Sequence, residues 1–243
     1  MKPFLLLGTR SEDDAADDEY AGFLRYSGLA PEQLHRVRVE AGPMPVVDLD
    51  DYSGVILGGS PFNASDEVKS EVQQRVESDL AALVGRVVEQ DMPFLGACYG
   101  VGLLGMVCGG TVDRRYGEAP GAVDVSLTED GRTDPLLAGM PERFHAIVGH
   151  KEACSVLPTS PGAVLLATSP GCPTQMFRIG RNVYATQFHP ELDADTLELR
   201  LRIYAGHGYC EPDDAERIVA EARAVDVDAV RGILRRFVEL HAR

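Results

Sequence analysis

Apolar positions along this chain fall into two kinds of run. Phe4-Leu5-Leu6-Leu7 is continuously apolar between Pro3 and Gly8, and Gly54-Val55-Ile56-Leu57 and Phe94-Leu95 repeat the same short, unbroken pattern. Runs of this kind fit strands covered on both faces, as in a parallel sheet. Leu34 to Val39 alternates well enough for one more strand, closed by Gly42-Pro43. Helical spacing separates these strands. An acidic stretch from Glu12 to Glu19 leads into Tyr20, Phe23 and Leu24 on one side, read as a solvated helix start. Val68, Val72, Val76, Leu80, Leu83 and Val87 then recur at helical spacing behind Ser65, a candidate N-cap followed by Asp66 and Glu67. Strand, helix and strand in this order predict β-α-β units of parallel sheet up to residue 97.

Beyond residue 97 the pattern changes. A helix-compatible stretch with Leu103, Leu104 and Met106 ends near Cys108-Gly109-Gly110. Thr111 to Thr128 reads as strand broken by a Gly117 to Gly121 turn, and Asp134 to Met140 as a short helix stopped by Pro141. Phe144 to Val148, Ala163 to Thr168, Thr174 to Ile179 and Val183 to Phe188 read as strands with turn residues between them. A β-rich run after a β-α-β half predicts a sheet extended by antiparallel strands at one side. Helices are expected over Thr196 to Tyr204, Asp213 to Val225 and Asp228 to His241.

Length and charge narrow the function classes. A chain of 243 residues fits one domain with a large core, or one domain plus an appendage. A formal charge of −15 disfavours a nucleic-acid backbone or an anionic membrane as partner. The opening M-K-P-F-L-L-L-G turns polar at once, and no apolar run approaches the roughly 20 residues of a membrane span, so a cytoplasmic protein is expected. Cys98, Cys108, Cys154, Cys172 and Cys210 are odd in number, scattered and without a C-x-x-C, which predicts reduced thiols. His145, His150 and Cys154 do not form a usual zinc spacing, and no Walker-type loop is present, so neither a metal nor another cofactor is expected.

Three segments carry candidate chemistry. Cys98 sits in Gly96-Ala97-Cys98-Tyr99-Gly100, between a strand and a helix, where small neighbours let the backbone adopt a strained turn that pushes the side chain out. A helix N-terminus there is expected to favour thiolate over thiol. His189 and Glu191, two apart after a strand, leave extended backbone on the same face, as a general base and its orienting carboxylate require. Gly58-Gly59 ends an earlier strand and could expose backbone N–H groups, although a purely structural turn explains the pair as well. In a parallel sheet all three segments lie at the C-terminal edge, and together they read as a Cys-His-Glu acyl-transfer site.

The elbow G-A-C-Y-G, the turn G-G-S-P and Y-A-T-Q-F-H-P-E resemble the triad-type class I glutamine amidotransferases, especially stand-alone proteins similar to the glutaminase domain of GMP synthetase. The resemblance covers roughly residues 1–205, leaving 206–243 as a helical extension packed on that domain. It implies an α/β fold of flavodoxin-like type: an open, mostly parallel sheet flanked by helices, with extra antiparallel strands. It also implies Cys98 as nucleophile, His189 as base and then acid, Glu191 as orienter, and an oxyanion hole from the backbone N–H groups of Gly59 and Tyr99. Gly58, Gly102, His150 and Gln187 are the candidate substrate contacts. Gly102 departs from the family, which commonly has glutamine four residues after the nucleophile, and His150 could equally be an ordinary loop residue. The substrate implied is glutamine or a γ-glutamyl small molecule, with a separate ammonia-accepting synthetase as partner. The alternatives are a hydrolase of other γ-glutamyl amides or peptides, and a catalytically idle binding or regulatory protein.

Overall fold

In the computed structural model, residues 1–205 and 212–243 are described; Cys210 lies outside them. The continuous apolar runs become β1 (Phe4–Gly8), β3 (Gly54–Leu57) and β4 (Phe94–Ala97), and the alternating one becomes β2 (Leu34–Arg38). Together with β11 (Val183–Thr186) they form a parallel block in the order β2-β1-β3-β4-β11. The sheet continues through antiparallel strands β10 (Met176–Ile179), β9 (Val164–Thr168), β6 (Glu118–Leu127) and β7 (Arg143–His150), giving nine strands in all. A separate ribbon pairs β5 (Thr111–Asp113) with β8 (Ala153–Val156). The expected fold class is the one observed.

Alternate residues of each central strand face opposite layers, which is why both faces had to be apolar. Leu6, Ile56 and Leu95 pack with Phe23 of α1 (Asp13–Ser27) and with Ile233, Leu234 and Phe237 of α7 (Asp228–His241). Leu7, Val55 and Leu57 pack with Val76, Leu80 and Val84 of α2 (Glu71–Glu89) and with Leu104 of α3 (Tyr99–Val107). A smaller cluster joins Leu197 and Leu201 of α5 (Ala194–Ile203) and Ile218 and Val219 of α6 (Ala215–Arg223) to Ile147 of β7. The remaining α4 is a single turn, Glu129–Thr133.

Four expectations need correction. Helix α2 begins at Glu71, capped by Ser70, whose hydroxyl accepts from the Gln73 amide, so Ser65 is not its N-cap. Val68 lies outside the helix, and Val68 and Val72 are exposed. Glu118 to Gly121 is not a turn but the start of β6, whose register against β7 shifts between those two residues. Strand β8, not expected from sequence, is four residues long, and Asp134 to Met140 shrinks to one 3-10 turn at Pro135–Leu137.

Candidate active site

Strand β4 ends at Ala97 and α3 starts at Tyr99, so Cys98 alone makes the turn, at φ 52° and ψ −86°. A non-glycine residue there is strained, and the surroundings hold it: the Cys98 amide donates to the Thr186 carbonyl of β11 at 2.6 Å. Gly96 is required because a Cβ at that position would lie 2.8 Å from the Gly100 Cα and 2.9 Å from the Phe94 ring. The thiol therefore projects from the C-terminal edge of the sheet into a cavity of about 400 Å³. Cys98, Tyr99, Gly102, His150, Gln187 and His189 all line that cavity.

His189 is buried, and its Nδ1 lies 2.7 Å from Glu191 Oε1. A carboxylate that close fixes the tautomer: Nδ1 carries the hydrogen and donates it, and Nε2 keeps the lone pair. Behind the pair stands a buried charge network that the sequence motifs do not reveal. Arg200 of α5 places Nη2 3.2 Å from Glu191 Oε1 and 3.5 Å from Glu19 Oε1, with Nη1 3.2 Å from His189 Nδ1. Glu19 of α1 accepts from Arg10 Nε at 2.9 Å. Two guanidiniums and two carboxylates cancel in charge, so no buried ion is left unpaired. Both Glu19 and Arg200 carry a signal that motif reading passes over: Glu19 falls on the stripe of Ala15, Ala16, Gly22 and Phe23, and Arg200 on that of Leu197, Leu201 and Tyr204. A charge on an apolar stripe demands a partner.

Burial pushes the His189 imidazole below its ordinary value, against the pull of Glu191, so it rests neutral. Burial alone would raise the Glu191 carboxyl, but His189 and Arg200 outweigh it and hold the group well below the carboxylate range. The thiol behaves otherwise than expected. Loss of solvation pushes Cys98 up to about 12, with Arg10 and Arg200 opposing, so the resting sulfur is a thiol and needs a base.

The Gly58-Gly59 turn is not part of the cavity wall. The Gly59 N–H donates to Glu19 Oε1 at 3.1 Å, and its carbonyl accepts from the Thr9 hydroxyl at 3.1 Å. A Cβ on Gly58 would lie 2.4 Å from Glu19 Oε2, so the glycine serves to admit that carboxylate. Tyr99, in contrast, opens α3 at the cavity. At Gly102 a Cβ would lie 3.1 Å from Glu152 Oε1, and the two carboxylate oxygens of Glu152 accept from the Ala64 and Ser65 amides at 2.7 Å each. Gln187 Nε2 lies 3.9 Å from Cys98 Sγ.

His150 bonds differently from His189. Its Nδ1 lies 2.8 Å from the Glu152 carbonyl oxygen and its Nε2 2.9 Å from Glu118 Oε2. Glu118 also accepts from Gln175 Nε2 at 2.6 Å and from the Ser169 hydroxyl at 3.1 Å. Among the described residues, Glu118, His150 and Cys172 form one group of metal-ligand type, with donor atoms within 4.8 Å of one another. The imidazole and carboxylate of that group already satisfy each other.

The family profile described as Glutamine amidotransferase class-I matches residues 29–201. The chain is 30% identical over 175 residues to a GMP synthase (glutamine-hydrolyzing) of Aeropyrum pernix, covering 69% of this chain and 31% of that one. It is 28% identical over 205 residues to Gamma-glutamyl peptidase 3 of Arabidopsis thaliana, covering 81% and 79%. Against a GMP synthase (glutamine-hydrolyzing) subunit of Methanoculleus marisnigri the identity is 29%, covering 65% and 74%. The match covers 24% of the length of the GMP synthases of Lactococcus lactis. A solved glutamine amidotransferase from Thermotoga maritima superimposes with a TM-score of 0.78 at 21% identity over 99% of this chain and 98% of that one. This chain belongs to the class-I glutamine amidotransferase family. No helix among the described residues is long and apolar enough to cross a membrane.

Proposed function

We propose that this protein hydrolyses a γ-glutamyl amide through a thioester on Cys98, with His189 as base and acid and Glu191 as its orienter. The observation that carries the reading is the pairing of a strained Cys98 elbow with a buried imidazole whose Nδ1 is fixed at 2.7 Å by Glu191, both lining one cavity. Nε2 is then the nitrogen available to the thiol.

The steps follow from these roles. The Cys98 proton passes to His189 Nε2 while Sγ bonds to the amide carbon, and the C=O pair moves onto oxygen. The Tyr99 amide at the start of α3 stabilises that oxyanion. When the pair returns, the C–N bond breaks, and the departing nitrogen takes the proton from the imidazolium. Water next gives a proton to Nε2 and attacks the thioester; the C–S bond breaks, and glutamate leaves as the sulfur regains its proton.

Glutamine is the first substrate class, in keeping with the family; its ammonia would pass to a separate synthetase, by analogy with the Methanoculleus relative, which is described as one subunit of a GMP synthase. A second class is the γ-glutamyl peptide. It is favoured by Glu152 standing against position 102, and by similarity to a relative described as a γ-glutamyl peptidase over most of both chains. Ammonia release from L-glutamine, compared with hydrolysis of γ-glutamyl dipeptides by wild type and Cys98→Ala, separates the two. Turnover by Cys98→Ala equal to wild type would defeat the nucleophile assignment; no turnover of either class by wild type would favour a binding or regulatory role.

A further inference from the structure

We propose that the Arg10 guanidinium supplies the second oxyanion donor of this site, in the role expected of the Gly59 amide. The inference rests on the Cys98 reading above and deepens it. Residue 59 has no polar group to spare: its N–H is bound by Glu19 and its carbonyl by Thr9, both buried side chains. An oxyanion hole needs donors that are already aimed and not consumed by the resting protein.

Arg10 meets that requirement. Its Nε donates to Glu19 at 2.9 Å and its Nη1 to the Tyr204 hydroxyl at 3.1 Å, which fixes the plane of the fork and leaves Nη2 as the third nitrogen. Nη2 lies 2.6 Å from the point a Gly59 Cβ would occupy, and His189 Cε1 lies 2.8 Å from the same point. The guanidinium is therefore beside the catalytic imidazole. Arg10 is only 4% exposed, yet it lines the cavity together with Cys98, Tyr99 and His189. Burial works against its charge, but Glu19 and Tyr204 together more than compensate and keep it a cation.

Two features then have one explanation. Glu19 occupies the Gly58-Gly59 turn because it must hold Arg10, and the turn is glycine because the carboxylate needs the space. A fixed cation in a site of low dielectric strengthens as charge develops on the substrate oxygen, more than a neutral N–H does. No proton leaves Arg10: the guanidinium stays protonated from the thiol attack to the collapse of the tetrahedral species, and the electron pair on oxygen returns to re-form the C=O bond.

The test uses the full chain and a γ-glutamyl amide that the wild type turns over, L-glutamine or γ-glutamyl p-nitroanilide. The double variant Arg10→Met, Glu19→Gln removes both charges while leaving a carbonyl oxygen for the Gly59 amide. The expected result is a fall in kcat of about 10²–10³-fold with little change in KM, as for loss of one oxyanion donor. Arg10→Lys, which keeps a cation against Glu19, gives the same readout should the double variant fail to fold. A folded variant with wild-type kcat, or one with raised KM and intact kcat, overturns the proposal. Cys98→Ala is run in parallel: if it loses turnover while the Arg10 variants keep it, the thioester reading stands and the Arg10 assignment falls.

Discussion

Two histidines line the cavity, and each is followed two residues later by a glutamate: His150-Lys151-Glu152 and His189-Pro190-Glu191. The spacing is the same, and the chemistry is not. In the second pair the ring meets the carboxylate, which leaves the other nitrogen with its lone pair. In the first pair the ring meets the backbone carbonyl of Glu152, while the carboxylate turns away to the amides of Ala64 and Ser65. Glu118 takes the other nitrogen, so His150 has no lone pair directed at the cavity. The H-x-E spacing permits contact; which oxygen the ring meets separates the base proposed at His189 from a strut at His150.

The largest effect expected from this contrast is in kcat/KM. His189→Asn should lose about 10⁴-fold, the scale on which acyl-transfer triads depend on their base, whereas His150→Asn should lose at most about tenfold and show it in KM. Steady-state hydrolysis of a γ-glutamyl amide measures both, and comparable losses would erase the distinction. Next come the two glutamates. Glu191→Gln should lower kcat by about 10²–10⁴-fold, because a neutral amide neither fixes the tautomer nor stabilises the imidazolium. Glu152→Gln should instead lower stability by about 1–3 kcal/mol, through weaker acceptance of two amide N–H groups, with kcat nearly kept. Thermal melts read beside the kinetics check that division.

A pH series sharpens the same point. His189 must be neutral to act, and burial depresses it, so the acid limb of kcat/KM should fall below the ordinary histidine value of about 6.5. The sign for stability follows. Below about pH 6.5 the unfolded chain binds a proton at residue 189 that the folded chain refuses, so stability declines as pH falls toward the depressed value. Below about pH 4.5 Glu191 adds a second decline for the same reason, since its folded value is held down. Urea unfolding at pH 7 and 5.5 should show the first slope in wild type and a shallower one in His189→Asn.

How far the sequence reveals this depends on how many neighbours a feature needs. The parallel strands are legible because a strand covered on both faces must be apolar throughout, as Phe4-Leu5-Leu6-Leu7 is. The Cys98 elbow is legible because its cause is local, in the small residues beside it. Strand β8 escapes because its four residues gain strand character only from β5, 40 residues earlier. Glu118 escapes for a related reason: Gly117, Pro120 and Gly121 advertise a turn, whereas pairing with His150 across the bulge makes a strand. The commitment of the Gly59 amide to Glu19 has no local signature at all. It exists only where α1 crosses the end of β3.

The smallest expected effect concerns the third member of the His150 cluster. Cys172 is buried, its thiol is pushed up to about 12 by loss of solvation, and its sulfur lies within 4.8 Å of both Glu118 and His150. A metal ion there would require that thiol deprotonated and the His150–Glu118 contact opened to admit the cation. Both conditions run against what holds the cluster: the Glu118 carboxylate is already filled by His150, Gln175 and Ser169, and the Glu152 carbonyl fixes the far side of the ring. Dialysis against a chelator, and separately Cys172→Ser, should therefore leave turnover unchanged, with no metal released in stoichiometric amount. Loss of activity restored by zinc would make His150 a ligand instead of a strut, and the contrast between the two histidines would have to be rebuilt around an ion.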